Sequence, residues 1–417
     1  VTDPDALFRE IVAGHFLPGP PQDIGVAVSG GGDSLALLHI LAEIARTEAL
    51  GLRVVTVDHG LRPAARDEAE KVGEQARALG LDHDILTWTG WNGEGNLQDQ
   101  ARRARYRLLA EWARLHGLRT VALGHTAEDQ AETFLMRLAR SAGTDGLSGM
   151  AVRRREGSVT FVRPLLDQRR TALRGYLERK GIAWIDDPSN EDDRFERIRI
   201  RKALDELSGL GITVSAISET ARNIASVRST LAWYSFSEAQ KLVRIEAGDI
   251  VMARAGFRML QPEIARRLLI QALLWVSGAE YAPRRRSLAM ALEAVRSGTG
   301  MTLHGCHISL DQSDVRITRE AGAVAGLTAR QGQHWDGRWL LIGPWFDGAG
   351  IRALGEDGLA QCPDWRGAGL PFRSLAGYPS IWQGDRLVAA PHAGFGEGWT
   401  AKLLRDGDAF FSALLAH

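Results

Sequence analysis

The first 125 or so residues alternate between short apolar runs of strand length and longer runs with apolar residues at helical spacing. "IGVAVS" (24–29) predicts a buried strand, and "SLALLHILAEIARTEAL" (34–50) predicts a helix. "LRVVTVD" (52–58), "HDILTW" (83–88) and "RTVALG" (119–124) predict further strands. A polar helix over 65–79 and a long one over 96–117 fall between them, and another follows over about 127–140. This βαβα rhythm predicts an α/β domain, a parallel sheet with helices on both faces whose ligands sit at the carboxyl ends of the strands. The Gly/Ser-rich "SAGTDGLSG" (141–149) then leads into an arginine-dense segment.

From about 205 the strand signals fade. "AISETARNIASVRSTLAWYSFSEAQKLV" (216–243) and "PEIARRLLIQALLWVSG" (262–278) predict helices, the second with Pro262 in its first turn and Gly278 at its end. After Gly298 short strand candidates return: "MTLHGCHISL" (301–310), "VRITRE" (315–320), "RWLLIG" (338–343) and "RLVAAP" (386–391). Three domains are therefore expected: 1–205 α/β, 206–298 helical, and 299–417 small α+β. A chain of 417 residues is too long for one ordinary core, which agrees.

Composition narrows the function classes. No stretch approaches the ~18 uninterrupted apolar residues of a membrane span. The start, "VTDPDALFRE", lacks the basic and apolar regions of a signal peptide, so a cytoplasmic location is the expectation. The two cysteines, Cys306 and Cys362, are far apart, which argues against a disulfide framework and against zinc or iron–sulfur sites. The net charge is zero, yet arginines crowd 102–107, 153–155, 163–180, 194–202 and 284–286. Any one cluster reads as a solvated face. Several of them flanking one nucleotide site make a nucleic-acid partner more plausible than the net charge suggests.

The chemistry starts at Ser29-Gly30-Gly31-Gly32-Asp33-Ser34, where a strand meets a helix N-terminus. Free backbone N–H groups and the helix dipole favour an anion there, and glycines let the backbone come close. The sequence has no GK pair, so this is no Walker A loop, and it fails the GxGxxG dinucleotide pattern. A plain turn with Asp33 or Ser34 as a helix cap is the bland alternative, but three successive glycines carry an entropic cost that a turn rarely needs. Asp129 and Glu132 lie three residues apart on one helix face. Their pattern fits either a carboxylate pair or a capping box, Thr126-x-x-Asp129, beside an exposed glutamate. "DDPSNEDD" (186–193) has Asp192 where a calcium loop needs glycine, and "HGCH" (304–307) is a poor metal candidate.

The SGGxDS loop resembles the PP-loop of the N-type ATP pyrophosphatases, which cleave ATP to AMP and pyrophosphate while adenylating a substrate. Four further stretches resemble the tRNA(Ile)-lysidine synthetase family within that superfamily: "VDHGLR" (57–62), "NLQDQARRARY" (96–106), "LGHTAEDQAETFLMRLARSAGTDGLSGM" (123–150) and "RPLL…YLERKGIAWIDDPSNEDDRFERIRIR" (163–201). Weaker echoes follow in "TLHGC" (302–306) and "LPFRSLAGYPSIWQGDRLVAAP" (370–391). There are two departures: Thr126 and Glu128 stand where the family usually has His and Asp, and Ile198 stands where it has Asn.

The resemblance implies an adenine nucleotide alpha-hydrolase-like fold and an ATP-dependent tRNA-modifying ligase. In this reaction the oxygen on carbon 2 of the wobble cytidine of a CAU-anticodon tRNA(Ile) is adenylated. The ε-amine of L-lysine then displaces AMP to form lysidine, changing codon reading from AUG to AUA. It implies ATP and Mg²⁺, with Ser29, Gly30, Gly31, Gly32, Asp33, Ser34, Asp58, His59, Arg62 and His125 on the nucleotide and Asp33 on the metal. Asp33, Asp129, Glu132, Arg102 and Arg201 would be catalytic. Asp129, Glu132, Asp187, Ser189 and Asn190 would wall the lysine or substrate side. Arg153, Arg154, Arg155, Arg197, Arg284, Arg285 and Arg286 would grip tRNA, giving strongly salt-dependent binding. An anticodon cytidine is single-stranded and so can be splayed into a pocket. A homodimer stays open.

The nearest rival, an RNA sulfur-insertion enzyme, would carry a reactive cysteine near the loop, and no cysteine precedes residue 306. Amide synthetases would show a glutaminase domain or a different block after the loop. A tRNA-binding protein that has lost catalysis is the reading left from another class.

Overall fold

The computed structural model describes residues 4–17, 19–48, 50–60, 64–91, 97–185 and 196–415. The chain divides into two compact units that meet between Arg228 and Ser229.

The first unit carries α1 (Pro4–Ala13), β1 (Asp23–Ala27), α2 (Gly32–Thr47), β2 (Gly51–Asp58), α3 (Ala64–Ala78) and β3 (Asp82–Thr87). It continues with α4 (Leu97–Leu115), β4 (Thr120–Leu123), α5 (Ala127–Ala139), α6 (Thr144–Leu147), β5 (Arg153–Glu156), β6 (Val159–Val162), α7 (Arg170–Lys180) and α8 (Glu196–Ser208). The helix α9 (Val214–Leu242) contains the boundary. The sheet order is β3-β2-β1-β4-β6-β5, parallel except for the edge strand β5, which returns antiparallel to β6. The expected α/β class and helix-covered sheet are thus present.

Both faces of this sheet are covered, as continuous apolar strands require. On one face Val26 and Ile24 pack with Phe8, Leu35, Leu37, Leu38, Leu173 and Tyr176 from α1, α2 and α7. On the other, Val55, Val121 and Phe161 meet Tyr106, Leu109 and Trp112 of α4. Each such side chain contributes roughly 1.5–3 kcal/mol on burial. Two glycines set the approach distances. A Cβ on Gly25 of β1 would stand 2.6 Å from the Trp112 ring. One on Gly124, just after β4, would stand 2.8 Å from Ser34 Cα and 2.9 Å from the Asp33 carbonyl oxygen. That second contact holds the end of β4 against the first turn of α2.

The second unit does not stay helical up to 298. The strands β7 (Val243–Glu246) and β8 (Asp249–Ala253) form a hairpin, with Ala247 and Gly248 both at positive φ (49° and 88°). That two-residue turn matches strand twist, and its Ala-Gly pair is a weaker hairpin signal than Asn-Gly. Next come α10 (Arg254–Met259), α11 (Pro262–Ser277), α12 (Arg285–Ser297), β9 (Met301–Leu303), β10 (Cys306–Leu310) and β11 (Asp314–Arg319). These strands make an antiparallel sheet, β7-β8-β11-β10-β9, whose core includes Leu268, Leu269, Leu273 and Ile308. Pro262 begins α11 and a left-handed Gly278 ends it, as expected.

The remainder holds α13 (Ala321–Val324), β12 (Trp339–Ile342), β13 (Ala349–Ala353), α14 (Gly355–Ala360), α15 (Phe372–Ala376), β14 (Pro379–Gln383), β15 (Arg386–Ala389), β16 (Thr400–Leu403) and α16 (Gly407–Leu415). Their Trp335, Trp339, Trp382 and Trp399 share a core with Tyr378. Cys306 and Cys362 are buried free thiols. Among the described residues no helix is long and apolar enough to cross a membrane.

Candidate active site

In the first unit β1 lies between β2 and β4, so the connections leaving β1 and β4 diverge and open a crevice at their carboxyl ends. The 29–34 loop occupies it. Gly30 takes φ 85°, open to glycine at little cost. The Ser34 hydroxyl closes the turn: it accepts from the Ser29 N–H at 3.1 Å and donates to the Gly31 carbonyl at 2.9 Å. Gly31 caps α2 without a side-chain bond, which leaves the first-turn N–H groups for an anion. The loop is therefore no simple turn with Asp33 as a cap.

A cavity of about 850 Å³ opens on this loop. Ser29, Gly31, Gly32, Asp33, Ser34, His59, His125, Asp129, Arg197 and Arg201, all expected from the sequence, line it. Arg105, Arg170, Arg174 and Glu68 line it too, with no role foreseen for them.

Asp33 Oδ2 accepts from Arg170 Nε at 2.9 Å, while Asp33 Oδ1 is buried without a hydrogen-bond partner. Burial pushes the Asp33 carboxyl up, and Arg170 works against that. A lone oxygen donor beside an anion cradle fits Mg²⁺, which binds through one or two carboxylates plus phosphate oxygens and water. Among the described residues no group of three His, Cys, Asp or Glu side chains could form a protein-only cage.

The α5 carboxylates divide their work. Asp129 completes the capping box: its Oδ2 accepts from the Thr126 N–H at 2.9 Å, and the Thr126 hydroxyl lies 3.2 Å away. Its Oδ1 lies 3.9 Å from Arg170 Nη2. Burial would raise its pKa, but His125, Arg170 and the Thr126 N–H outweigh burial and hold it below the usual range. The capping and cavity readings of Asp129 are thus both satisfied, one oxygen each. Glu128 is spent on α7: Oε1 accepts from Arg169 Nε at 2.8 Å and Oε2 from the Arg170 N–H at 2.9 Å.

Glu132 departs from expectation. It is fully buried and does not line the cavity, because Arg201 Nε sits 2.5 Å from its Oε1 and Arg197 Nε 3.8 Å from its Oε2. It anchors the α8 arginines instead of meeting a substrate ammonium directly. Ile198, in the position of the missing Asn, is buried between those two arginines in sequence.

Arg102 and Arg105 differ in what they reach. Arg102 is exposed and stands 5.6 Å from the Tyr106 ring, whereas Arg105 faces the cavity and has no hydrogen-bonding partner among the described residues. Burial lowers the Arg105 pKa, and Arg102 and Arg197 add to that. The two residues lie three apart, neighbours on one side of α4, so the packing around α4 and not the sequence spacing decides which one reaches the cavity.

Burial, with Arg105 nearby, takes His125 down to about 3 and also lowers His59, so both imidazoles are neutral at physiological pH. His59 stands edge-on to Trp88 at 6.1 Å. Asp58 does not line the cavity: its Oδ1 accepts from the Gly60 N–H at 2.8 Å and shapes the turn after β2.

Arg153, Arg154 and Arg155 lie exposed on the edge strand β5, Arg154 4.5 Å from the Tyr106 ring centre. Arg284, Arg285 and Arg286 are exposed at the start of α12 in the second unit. Arg62, Asp187, Ser189 and Asn190 lie outside the described residues. The "HGCH" histidines form no metal group: His304 sits in a turn at φ 59°, and His307 contacts Arg373.

A PP-loop domain model matches residues 8–207. A tRNA(Ile)-lysidine synthase of Ruegeria pomeroyi is 52% identical over 403 residues, covering 97% of this chain and 96% of the relative. One from Hyphomonas neptunium is 38% identical over 73% of this chain and 84% of its own, and one from Wolbachia pipientis is 34% identical over 80% of each. Among solved structures, a U34-tRNA thiolase of Methanococcus maripaludis is similar at TM-score 0.47 and 15% identity, covering 53% of this chain and 79% of its own. Near-full-length identity to such relatives, over a chain that carries the loop and its cleft, makes this chain a member of the tRNA(Ile)-lysidine synthase family.

Proposed function

We propose that this chain is an ATP-dependent ligase that converts the wobble cytidine of a CAU-anticodon tRNA(Ile) to lysidine, and that the 850 Å³ cleft is where it does so. The observation that carries the reading is Asp33 Oδ1, a buried unpartnered carboxylate oxygen at the N-terminus of α2, in a cavity otherwise rich in arginine. The cytidine oxygen on carbon 2 attacks the α-phosphate, and the α–β bond breaks. The N–H groups of the first turn of α2 hold the departing pyrophosphate, so no lysine is needed in the loop. Asp33 Oδ1 would be the protein donor for Mg²⁺, which would supply neutralisation of the phosphate charge. Arg105, Arg174, Arg197 and Arg201 face the developing negative charge from the cavity walls.

In the second step the lysine ε-amine attacks carbon 2 and AMP leaves. The ionised Asp129 receives the incoming ammonium on Oδ1, the oxygen its helix cap does not use, and takes the proton whose loss frees the amine to attack. Glu132 acts through Arg201 as a positioning residue. The arginines of β5 and α12 supply tRNA backbone contacts. Incubation with ATP, labelled lysine and tRNA bearing a CAU anticodon tests the reading. Lysine incorporation into tRNA(Ile) with stoichiometric AMP and pyrophosphate is expected, and no incorporation, or equal labelling of initiator methionine tRNA, would sink it.

A further inference from the structure

The guanidinium of Arg170 has two carboxylates and one place to stand. Nε is 2.9 Å from Asp33 Oδ2, and Nη2 is 3.9 Å from Asp129 Oδ1. The first carboxylate belongs to the start of α2, the second to the start of α5, and Arg170 itself is the first residue of α7. Its backbone is held by Glu128, which takes the Arg170 N–H on one oxygen and the Arg169 side chain on the other. Only the side chain beyond that anchor has freedom to shift. Both carboxylates oppose burial in holding the guanidinium protonated, so its charge is constant throughout.

We propose that Arg170 couples the two halves of the site: it leaves Asp33 for Asp129 when a divalent cation neutralises Asp33, and returns when that cation departs with pyrophosphate. The inference rests on the function proposed above and adds an order to its two steps. Like charges a few ångströms apart repel, so a cation on Asp33 Oδ1 weakens the Arg170 contact on Oδ2 of the same carboxylate. A movement of about 1 Å brings Nη2 to hydrogen-bond distance of Asp129 Oδ1. That oxygen is the one left over from the capping box, and the one assigned to the substrate ammonium. While the pyrophosphate half is occupied, the amine therefore meets an Asp129 already paired. Once pyrophosphate and its cation leave, Arg170 goes back to Asp33 and Asp129 opens to lysine. The guanidinium thereby delays the nucleophile until the cytidine is activated.

The coupling is reciprocal and measurable without turnover. Binding of radiolabelled lysine to the full chain is measured with and without Mg²⁺ and inorganic pyrophosphate. In the wild type, Mg²⁺·pyrophosphate is expected to weaken lysine binding about five-fold to a hundred-fold, and lysine to weaken pyrophosphate binding by the same factor. In Arg170→Gln the factor falls to near one, since no cation passes between the carboxylates. Arg170→Lys guards against a mere folding defect: it keeps a charge for Asp33, but a single ammonium lacks the fork that reaches both groups. It is expected to fold as the wild type does and to lose most of the coupling. Equal lysine affinity in the wild type with and without Mg²⁺·pyrophosphate overturns the inference, as does an undiminished factor in Arg170→Gln. A chain that incorporates lysine into tRNA but shows no coupling refutes this inference alone, whereas a chain that neither binds nor incorporates lysine refutes the functional reading with it.

Discussion

Each unit of the molecule holds a carboxylate with one buried, unpartnered oxygen, and the two fare differently. In the first, Asp33 pairs with Arg170 and its spare Oδ1 belongs to a residue lining an 850 Å³ cavity. In the second, Asp249 is fully buried, accepts from Ser374 Oγ at 2.5 Å and Arg316 Nη1 at 3.0 Å, and also keeps an unpartnered Oδ1. Its neighbours are spent on the protein: Arg319 bonds Asp336 at 2.8 and 2.9 Å, and Arg338 bonds the Gly248 carbonyl at 2.6 Å. The cavity beside Asp336 and Arg338 is only about 60 Å³, and Asp249 does not line it. Burial raises both carboxyls. An orphaned oxygen is therefore not in itself a site. It becomes one where volume for a ligand adjoins it.

The sharpest way to break this contrast is to remove each carboxylate. Asp249→Ala leaves Arg316 and Ser374 facing a buried void, and should cost about 3 kcal/mol of stability in denaturant unfolding followed by tryptophan emission. A loss below about 1 kcal/mol would mean that the Asp249 network is not what pins the second unit. Asp33→Ala should do the reverse: pyrophosphate release falls by roughly 10²–10³ while tRNA still binds. Retained release would move the phosphate site elsewhere.

Histidines sharpen the comparison more gently. Burial lowers His125 in the first unit to about 3 and His392 in the second to about 4, from an ordinary 6.5. Unfolded, both gain a proton below about 6.5, whereas folded they remain neutral until near those lower values. Their contribution to stability is therefore present above pH 6.5 and is lost as pH falls toward 4 and 3. The slope is at most about 1.4 kcal/mol per pH unit for each histidine. His392→Phe should flatten that slope in chemical denaturation between pH 6 and 5, and an unchanged slope would assign the acid sensitivity to other groups.

The smallest effect belongs to the exposed arginines. Arg154 already pairs with Glu156 and lies over Tyr106, so Arg154→Ala should reduce tRNA affinity only a few-fold and the salt slope by about one. A loss of sequence discrimination with no change in slope would show that it reads bases and not phosphate.

Much of the first unit was legible because its periodicities are strong. The strand expected at 52–58 is Gly51–Asp58 and the helix expected at 65–79 is Ala64–Ala78, since apolar runs and helical spacing there have no competing reading. The β5–β6 hairpin was not foreseen, because three successive arginines hide a strand whose outer edge is exposed. The loop was legible as three glycines at a strand–helix junction, and the role of Asp33 came from its resemblance to the PP-loop. Arg170 could not: it stands 137 positions from Asp33, and nothing local marks it as that residue's partner.

What the sequence determined by itself was the chemistry available: a lysine-free glycine loop at a strand–helix junction, carboxylates on one helix face, arginines in excess of lysines. Those follow from local backbone needs and residue type. Only the tertiary structure decided which of these groups share a space. It turned Arg105 inward and left Arg102 outside, tied Glu132 to Arg201, and brought the starts of α2, α5 and α7 together around one guanidinium. Long-range packing sets those choices, because a side chain's neighbours depend on what the rest of the chain brings against its helix.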